Sequence, residues 1–174
     1  TSSSNVWFAL NGGTIVRSYD GGKTWSNTPA AFSTYVLFAD PTTTNRVIAS
    51  DYSSLYISTD SASYPAGSTP KLHLKIQNTS GVACYRDIGA GMNELLIKSG
   101  GYHVWSSDDC NSGGAPMVTL LQPAESYSVT VTWPGVLSSK GCPANQPLAK
   151  PGSYDLFGRN GNVVSSSSVF SLTN

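Results

Sequence analysis

Thr14-Ile15-Val16-Arg17-Ser18-Tyr19-Asp20-Gly21-Gly22-Lys23-Thr24-Trp25 follows Asn5-Val6-Trp7-Phe8-Ala9-Leu10, and forty residues after Asn5 a degenerate copy begins at Asn45. In that register Asn5 falls on Asn45, Ala9 on Ala49, Ser18 on Ser58 and Asp20 on Asp60 without a gap, and Ile15-Val16 meets Leu55-Tyr56. Asn11-Gly12-Gly13 and Asp51-Tyr52-Ser53-Ser54 stand at equivalent places between short apolar runs. Glycine supplies positive φ there at no steric cost, so each copy predicts a β-hairpin.

A period near forty made of short strands is the signature of a propeller blade. Two copies cannot close a ring, and from about Ser68 no third copy follows. The strands expected in this part are residues 6–10, 14–18, 34–39, 46–50 and 55–58. Asp40 to Asn45 reads as a loop, because Pro41 has no N–H for a ladder. Ser61 to Pro70, small and bracketed by prolines, reads as a linker.

Composition fits an all-β chain. Only 11% of the 174 residues are charged, ten basic against ten acidic, and Glu94 and Glu125 are the only glutamates. Strong surface helix formers are scarce while Ser, Thr, Val, Tyr and Gly abound. The even charge balance argues against a nucleic-acid partner, and no apolar run is long enough for a membrane helix. Thr1-Ser2-Ser3-Ser4 lacks the basic start and apolar run of a signal peptide, which suits a mature or excised part.

Beyond the linker the pattern lengthens. Leu72, Leu74 and Ile76 alternate with Lys71, His73, Lys75 and Gln77, as in a half-buried strand. Residues 95–97 and 102–105 flank Ser99-Gly100-Gly101 as a second kind of hairpin, and strands follow at 118–121, 127–133, 154–157 and 168–172. Seven or eight strands with frequent turns predict an immunoglobulin-like β-sandwich. The expected organisation is therefore a repeat segment over 1–66 and a sandwich over 67–174.

Ser18 to Trp25 matches the Asp-box pattern S-x-D-x-G-x-T-W through Ser18, Asp20, Gly22, Thr24 and Trp25. It resembles the bacterial neuraminidase repeat of sialidases, sortilin and two-propeller xyloglucanases. The second copy keeps Ser58 and Asp60 but has Ala62 for the glycine and Tyr64 for the threonine. The resemblance covers residues 5–64 and implies a turn-locking role, since in sialidases these boxes lie away from the catalytic centre. The arginine cluster, tyrosine and acidic pair of that centre have no counterpart here.

The second half is similar in layout to secreted, actinobacterial-type immunoglobulin-like domains, and more loosely to the bacterial intracellular proteinase inhibitor fold. The stretches that carry this are residues 72–78, 104–110, 121–125, 129–135 and 150–156.

Cys84, Cys110 and Cys142, spaced 26 and 32 residues apart, predict one disulfide and one remaining thiol, with the pair undecided. The spacing is unlike that of zinc knuckles, and no metal or cofactor is expected. His73 and His103 fall on alternating strands as solvated residues, and no G-x-S-x-G elbow supports a serine hydrolase. Asp108 and Asp109 are adjacent, so they point to opposite sides. Together with Trp105 they are the candidate ligand contacts, although Trp105 and Trp133 suit core packing better. Arg86 and Asp87 read as a neighbouring ion pair.

No catalytic residue is expected. The chain reads as a non-catalytic, secreted or cell-envelope accessory or adhesion module, with a polysaccharide or a surface protein as partner. The alternatives are a fragment of a xyloglucanase-like propeller glycoside hydrolase whose catalytic residues lie outside the chain, and a proteinase-inhibitor-like module. Two halves of unlike resemblance also fit a fusion.

Overall fold

The computed structural model describes residues 7–11, 14–27, 36–39, 47–50, 53–111 and 113–174. The expected turn at Gly12-Gly13, the loop from Asp40 to Asn45 and the pair Asp51-Tyr52 lie outside them. The chain is all-β, and among the described residues its one helical element is a single 3-10 turn, Ala90–Met92. No helix there is long and apolar enough to cross a membrane, and the described strands close neither a barrel nor a propeller.

Two compact units are distinguished: residues 1–53 with 78–85 and 120–124, and residues 54–77, 86–119 and 125–174. In the first, β1 (Trp7–Asn11) and β2 (Thr14–Ser18) form an antiparallel hairpin, and β3 (Ser26–Asn27) adds to β2. A second antiparallel pair is β4 (Val36–Ala39) with β5 (Val47–Ser50).

The second repeat departs from the expected hairpin. β6 (Ser53–Thr59) does not pair with β5; it joins β8 (Lys71–Asn78) in a three-stranded sheet completed by β13 (Ser126–Thr132), in the order β13-β8-β6. The physical reason is an apolar face. Ile57 reaches a position where Gly158 has no side chain: a Cβ there would stand 2.5 Å from Ile57 Cγ2 and 2.8 Å from Leu74 Cδ1. Glycine at 158 therefore lets both sheets approach closely.

The opposing sheet runs β11-β10-β14-β16-β7, from β7 (Ser63–Pro65), β10 (Asn93–Ser99), β11 (Tyr102–Ser106), β14 (Gly152–Asn160) and β16 (Ser168–Thr173), with β15 (Val163–Val164) on β14. A separate pair is β9 (Cys84–Asp87) with β12 (Val118–Leu121). Leu72, Leu74 and Ile76 of β8 and Leu95, Ile97, Leu156, Phe170 and Leu172 of the other sheet are buried between them, making a two-layer sandwich.

The stretch from Ser61 to Pro70, expected as a linker, is instead part of that sandwich. β7 pairs in parallel with β16, placing Tyr64 opposite Leu172, and Ala66 N–H donates to Thr173 O at 2.8 Å. Tyr64 is only 9% exposed, and its ring meets Phe170 edge-on at 6.1 Å. Phe170 also packs against Trp133 (5.9 Å) and Tyr154 (5.6 Å), and the fully buried Trp133 donates its indole N–H to Val136 O at 2.9 Å. The small and proline residues around Tyr64 obscured a strand whose one large side chain is an anchor.

Inside the sandwich lies a satisfied polar network. Arg86 donates to Asn160 Oδ1 and, at 2.9 Å, to Asn160 O; Asn160 Nδ2 donates to Asp87 O and Asn93 Oδ1; Asn93 Nδ2 donates to Ile88 O. The arginine thus reaches across to β14, while Asp87 Oδ1 accepts from the N–H groups of Gly89 and Met117. That arrangement replaces the neighbour pair expected for Arg86 and Asp87.

Candidate binding site

Asp20 and Asp60 each hold their own turn. Asp20 Oδ1 accepts from the N–H groups of Lys23 and Thr24, both at 2.9 Å, and from Ser18 Oγ at 2.8 Å, while Oδ2 accepts from Thr24 Oγ1 at 2.6 Å. Gly21 and Gly22, at φ 72° and 90°, let the chain turn back, and Gly22 O accepts the Trp25 indole N–H. The Thr24 hydroxyl and amide, with Ser18, hold the Asp20 carboxyl down to about 2. A carboxylate so committed serves the turn.

Around Asp60 the positions forty residues on are filled differently. Tyr64 occupies the position equivalent to Thr24, and its hydroxyl donates to Asp60 Oδ1, which also accepts from Lys71 N–H at 3.1 Å. Chiefly through the tyrosine, the Asp60 carboxyl lies below the usual range. Tyr64 thus makes the hydrogen bond to its aspartate that Thr24 makes to Asp20, and adds a ring to the sandwich core. Ser58 is exposed on β6.

A second polar group is built on β10, β11 and β14. Glu94 and Arg159 are direct cross-strand partners, so their side chains share a face. Arg159 Nε donates to Glu94 Oε2 at 2.8 Å, and its Nη2 donates to Asp108 Oδ2 at 3.0 Å. Ser106 Oγ donates to Glu94 Oε1 at 2.7 Å. Burial pushes Glu94 up, but the Ser106 hydroxyl and Arg159 outweigh it and its carboxyl titrates below the usual range. For Asp108, burial and the Glu94 charge prevail, and its carboxyl titrates above that range.

Asp109 points the other way. Its Oδ2 accepts from His103 Nε2 at 2.8 Å, from Ser106 N–H at 3.0 Å and from the Ser138 hydroxyl. Burial raises its carboxyl, yet Ser138, His103 and the Ser106 amide bring the net shift below the usual range. Serine, aspartate and histidine therefore meet with the aspartate in the middle. Nucleophilic catalysis needs the histidine between the other two, where it can take the serine proton. The Cys110–Cys142 disulfide ties this turn to the segment after Ser138, and Gly141 N–H donates to Asp109 O at 3.0 Å. Cys84 is a buried thiol outside the disulfide.

Beside Glu94 and Asp108 opens a cavity of about 600 Å³ within the sandwich unit. Its floor is apolar, formed by Leu95 and Trp105 of one sheet and by Leu74 of β8 with Tyr127, Val129 and Val131 of β13 from the other. Trp105 is 7% exposed, so it offers the cavity no open stacking face. Of the ligand contacts expected from the sequence, Trp105 and Asp108 line the cavity and Asp109 does not. Glu94 and Arg159 were missed. The available signal was a glutamate, one of two in the chain, inside the otherwise apolar Leu95-Leu96-Ile97 strand. Among the described residues no group of three His, Cys, Asp or Glu side chains could hold a metal.

No family model and no curated protein matches the chain. Among solved structures it is similar to a β-glucosidase from Erythrobacter marinus (13% identity, TM-score 0.41, 70% of this chain and 16% of that one). A β-glucosidase from Listeria innocua with glucose gives 14% identity and TM-score 0.41 over 72% and 17% of the two chains. An alkylpurine DNA glycosylase from Pseudomonas fluorescens gives 13% and 0.40 over 71% and 32%. The chain spans about a sixth of the length of those β-glucosidases.

Proposed function

We propose that the chain is a non-catalytic, extracytoplasmic β module whose sandwich unit binds a partner through the apolar cavity beside Glu94 and Asp108. One observation carries this reading. Arg159 bridges the two carboxylates that face the cavity, with contacts of 2.8 and 3.0 Å. Glycoside hydrolysis by paired acids needs the space between them for a sugar bond and a water, and here a guanidinium fills it. The apolar floor next to them suits recognition without chemistry. The disulfide supports an oxidising compartment.

Binding of the whole chain to a glycan array, to insoluble polysaccharides and to detergent-extracted surface proteins tests the reading, run beside Val131→Phe, which fills the cavity from a half-buried site. A partner retained by the native chain and lost by Val131→Phe supports the cavity as the site. Equal retention by both would refute it.

A second reading is carried by the formed Asp-box turn at Ser18 to Trp25: the chain as part of a larger propeller glycoside hydrolase. Polypeptide sequence on the N-terminal side of Thr1 discriminates between them. Further forty-residue copies favour the enzyme.

A further inference from the structure

Among the described residues β13 is the edge of its sheet, with β8 as its neighbour in an unbroken register from Ser126 opposite Gln77 to Thr132 opposite Lys71. Natural sheet edges are usually blunted by a lysine, a proline, a bulge or a covering segment. Ser126-Tyr127-Ser128-Val129-Thr130-Val131-Thr132 contains no charge and no proline, and the register carries no bulge. Its residues are β-branched or aromatic at four of the five central positions, so the strand is well formed and its outer edge is a template for pairing.

The face beside that edge is unfinished as well. Tyr127, Val129 and Val131 point into the cavity and remain half-exposed, where the buried partners on β8 are covered. At a strand rise of about 3.3 Å per residue, alternate side chains of an added strand would recur about every 6.6 Å, in step with those three positions. Glu94 and Asp108 line the cavity and no lysine, arginine or histidine does; Arg159, which bridges the two acids, lies outside the lining. Two carboxylates against one guanidinium leave the wall with a net negative charge. Each carboxylate oxygen also has two acceptor sites, of which the observed donors use one.

We infer that this flank receives an extended peptide strand that hydrogen-bonds to the outer edge of β13, sets alternate apolar side chains into the cavity, and brings a lysine or arginine to Glu94 and Asp108. The inference rests on the reading of the cavity as a binding site and adds the class of partner. Strand addition draws affinity from main-chain hydrogen bonds and specificity from pockets for alternate side chains. Those two elements stand side by side here.

The test is an NMR titration of the whole chain with a capped heptapeptide of alternating valine and threonine whose last valine is replaced by lysine, beside the same peptide with glutamate there. The lysine peptide is expected to shift the amides of residues 126–132 and to bind about tenfold more tightly than the glutamate peptide, one charge-assisted hydrogen bond being worth about that factor. Glu94→Gln with Asp108→Asn should remove the difference, and Val131→Lys, which leaves the acids in place, should reverse it. Equal affinity for the two peptides would overturn the inference while indole binding in the cavity kept the broader reading alive. Self-association through residues 126–132 without peptide would overturn it in favour of a second copy. Silence of the cavity toward peptides and indole alike would sink both.

Discussion

Truncating Tyr64 to alanine should unfold the sandwich unit far more readily, because the side chain of an apparent linker residue is a core element. The ring is 9% exposed and meets Phe170 at 6.1 Å. A tyrosine of this kind buries about 180 Å², which at about 25 cal/mol per Å² corresponds to about 4.5 kcal/mol, and to about 3–4 once residual burial in the unfolded chain is allowed for. That lies within the range of about 3–5 kcal/mol seen for large aromatic truncations. Tyr64→Phe keeps the ring and loses the donor to Asp60, so it should cost about 1 kcal/mol, since water can solvate the exposed carboxylate. Urea unfolding followed through resolved amide signals of residues 71–77 and 152–160 separates the sandwich from the other unit. A Tyr64→Ala midpoint within error of the native one would refute the placement of β7 in the core.

Replacing Cys110 and Cys142 together by serine opens a 32-residue loop and should cost about 3.7 kcal/mol by the chain-entropy account, read as a fall in urea midpoint. Glu94 and Asp109 have folded carboxyls below the unfolded range, so their contribution is present above about pH 4 and is lost as pH falls through the folded values. Asp109→Asn should accordingly cost about 1–3 kcal/mol at pH 7 and less in acid, which stability measured from pH 7 to 2.5 checks. Asp108 has the opposite sign: its contribution holds at low pH and is lost as pH rises through its raised value. Asp108→Asn should therefore be neutral or stabilising by less than about 1 kcal/mol at neutral pH, the group being more than a third exposed. Asp20→Ala should shift the amides of Lys23 and Thr24 while leaving those of the sandwich in place, as expected of a turn-locking group.

Strand character was legible wherever side chains alternated strictly. Leu72, Leu74 and Ile76 are buried and the residues between them face outward, as their period of two required. The hairpin at Ser99-Gly100-Gly101 was equally plain, its glycines at φ 55° and 85°. The segment around Tyr64 was illegible for a physical reason. A three-residue strand shows no period, and it is held by pairing with β16, more than a hundred residues away in sequence. The forty-residue register also suggested local pairing for β6, but that strand pairs with β8, where Ile57 packs closely over Gly158. At the candidate site, Asp108 could be named from sequence, whereas Arg159 could not, because only the β10–β14 register brings it opposite Glu94.

The reading of the cavity as a recognition site is tested most directly by an amide and indole NMR titration of the whole chain with indole at millimolar concentration. The account predicts perturbations confined to Leu74, Leu95, Trp105, Val129 and Val131, abolished in Val131→Phe. Perturbations centred on the exposed Trp25 and Tyr102, with the cavity residues unmoved, would contradict it.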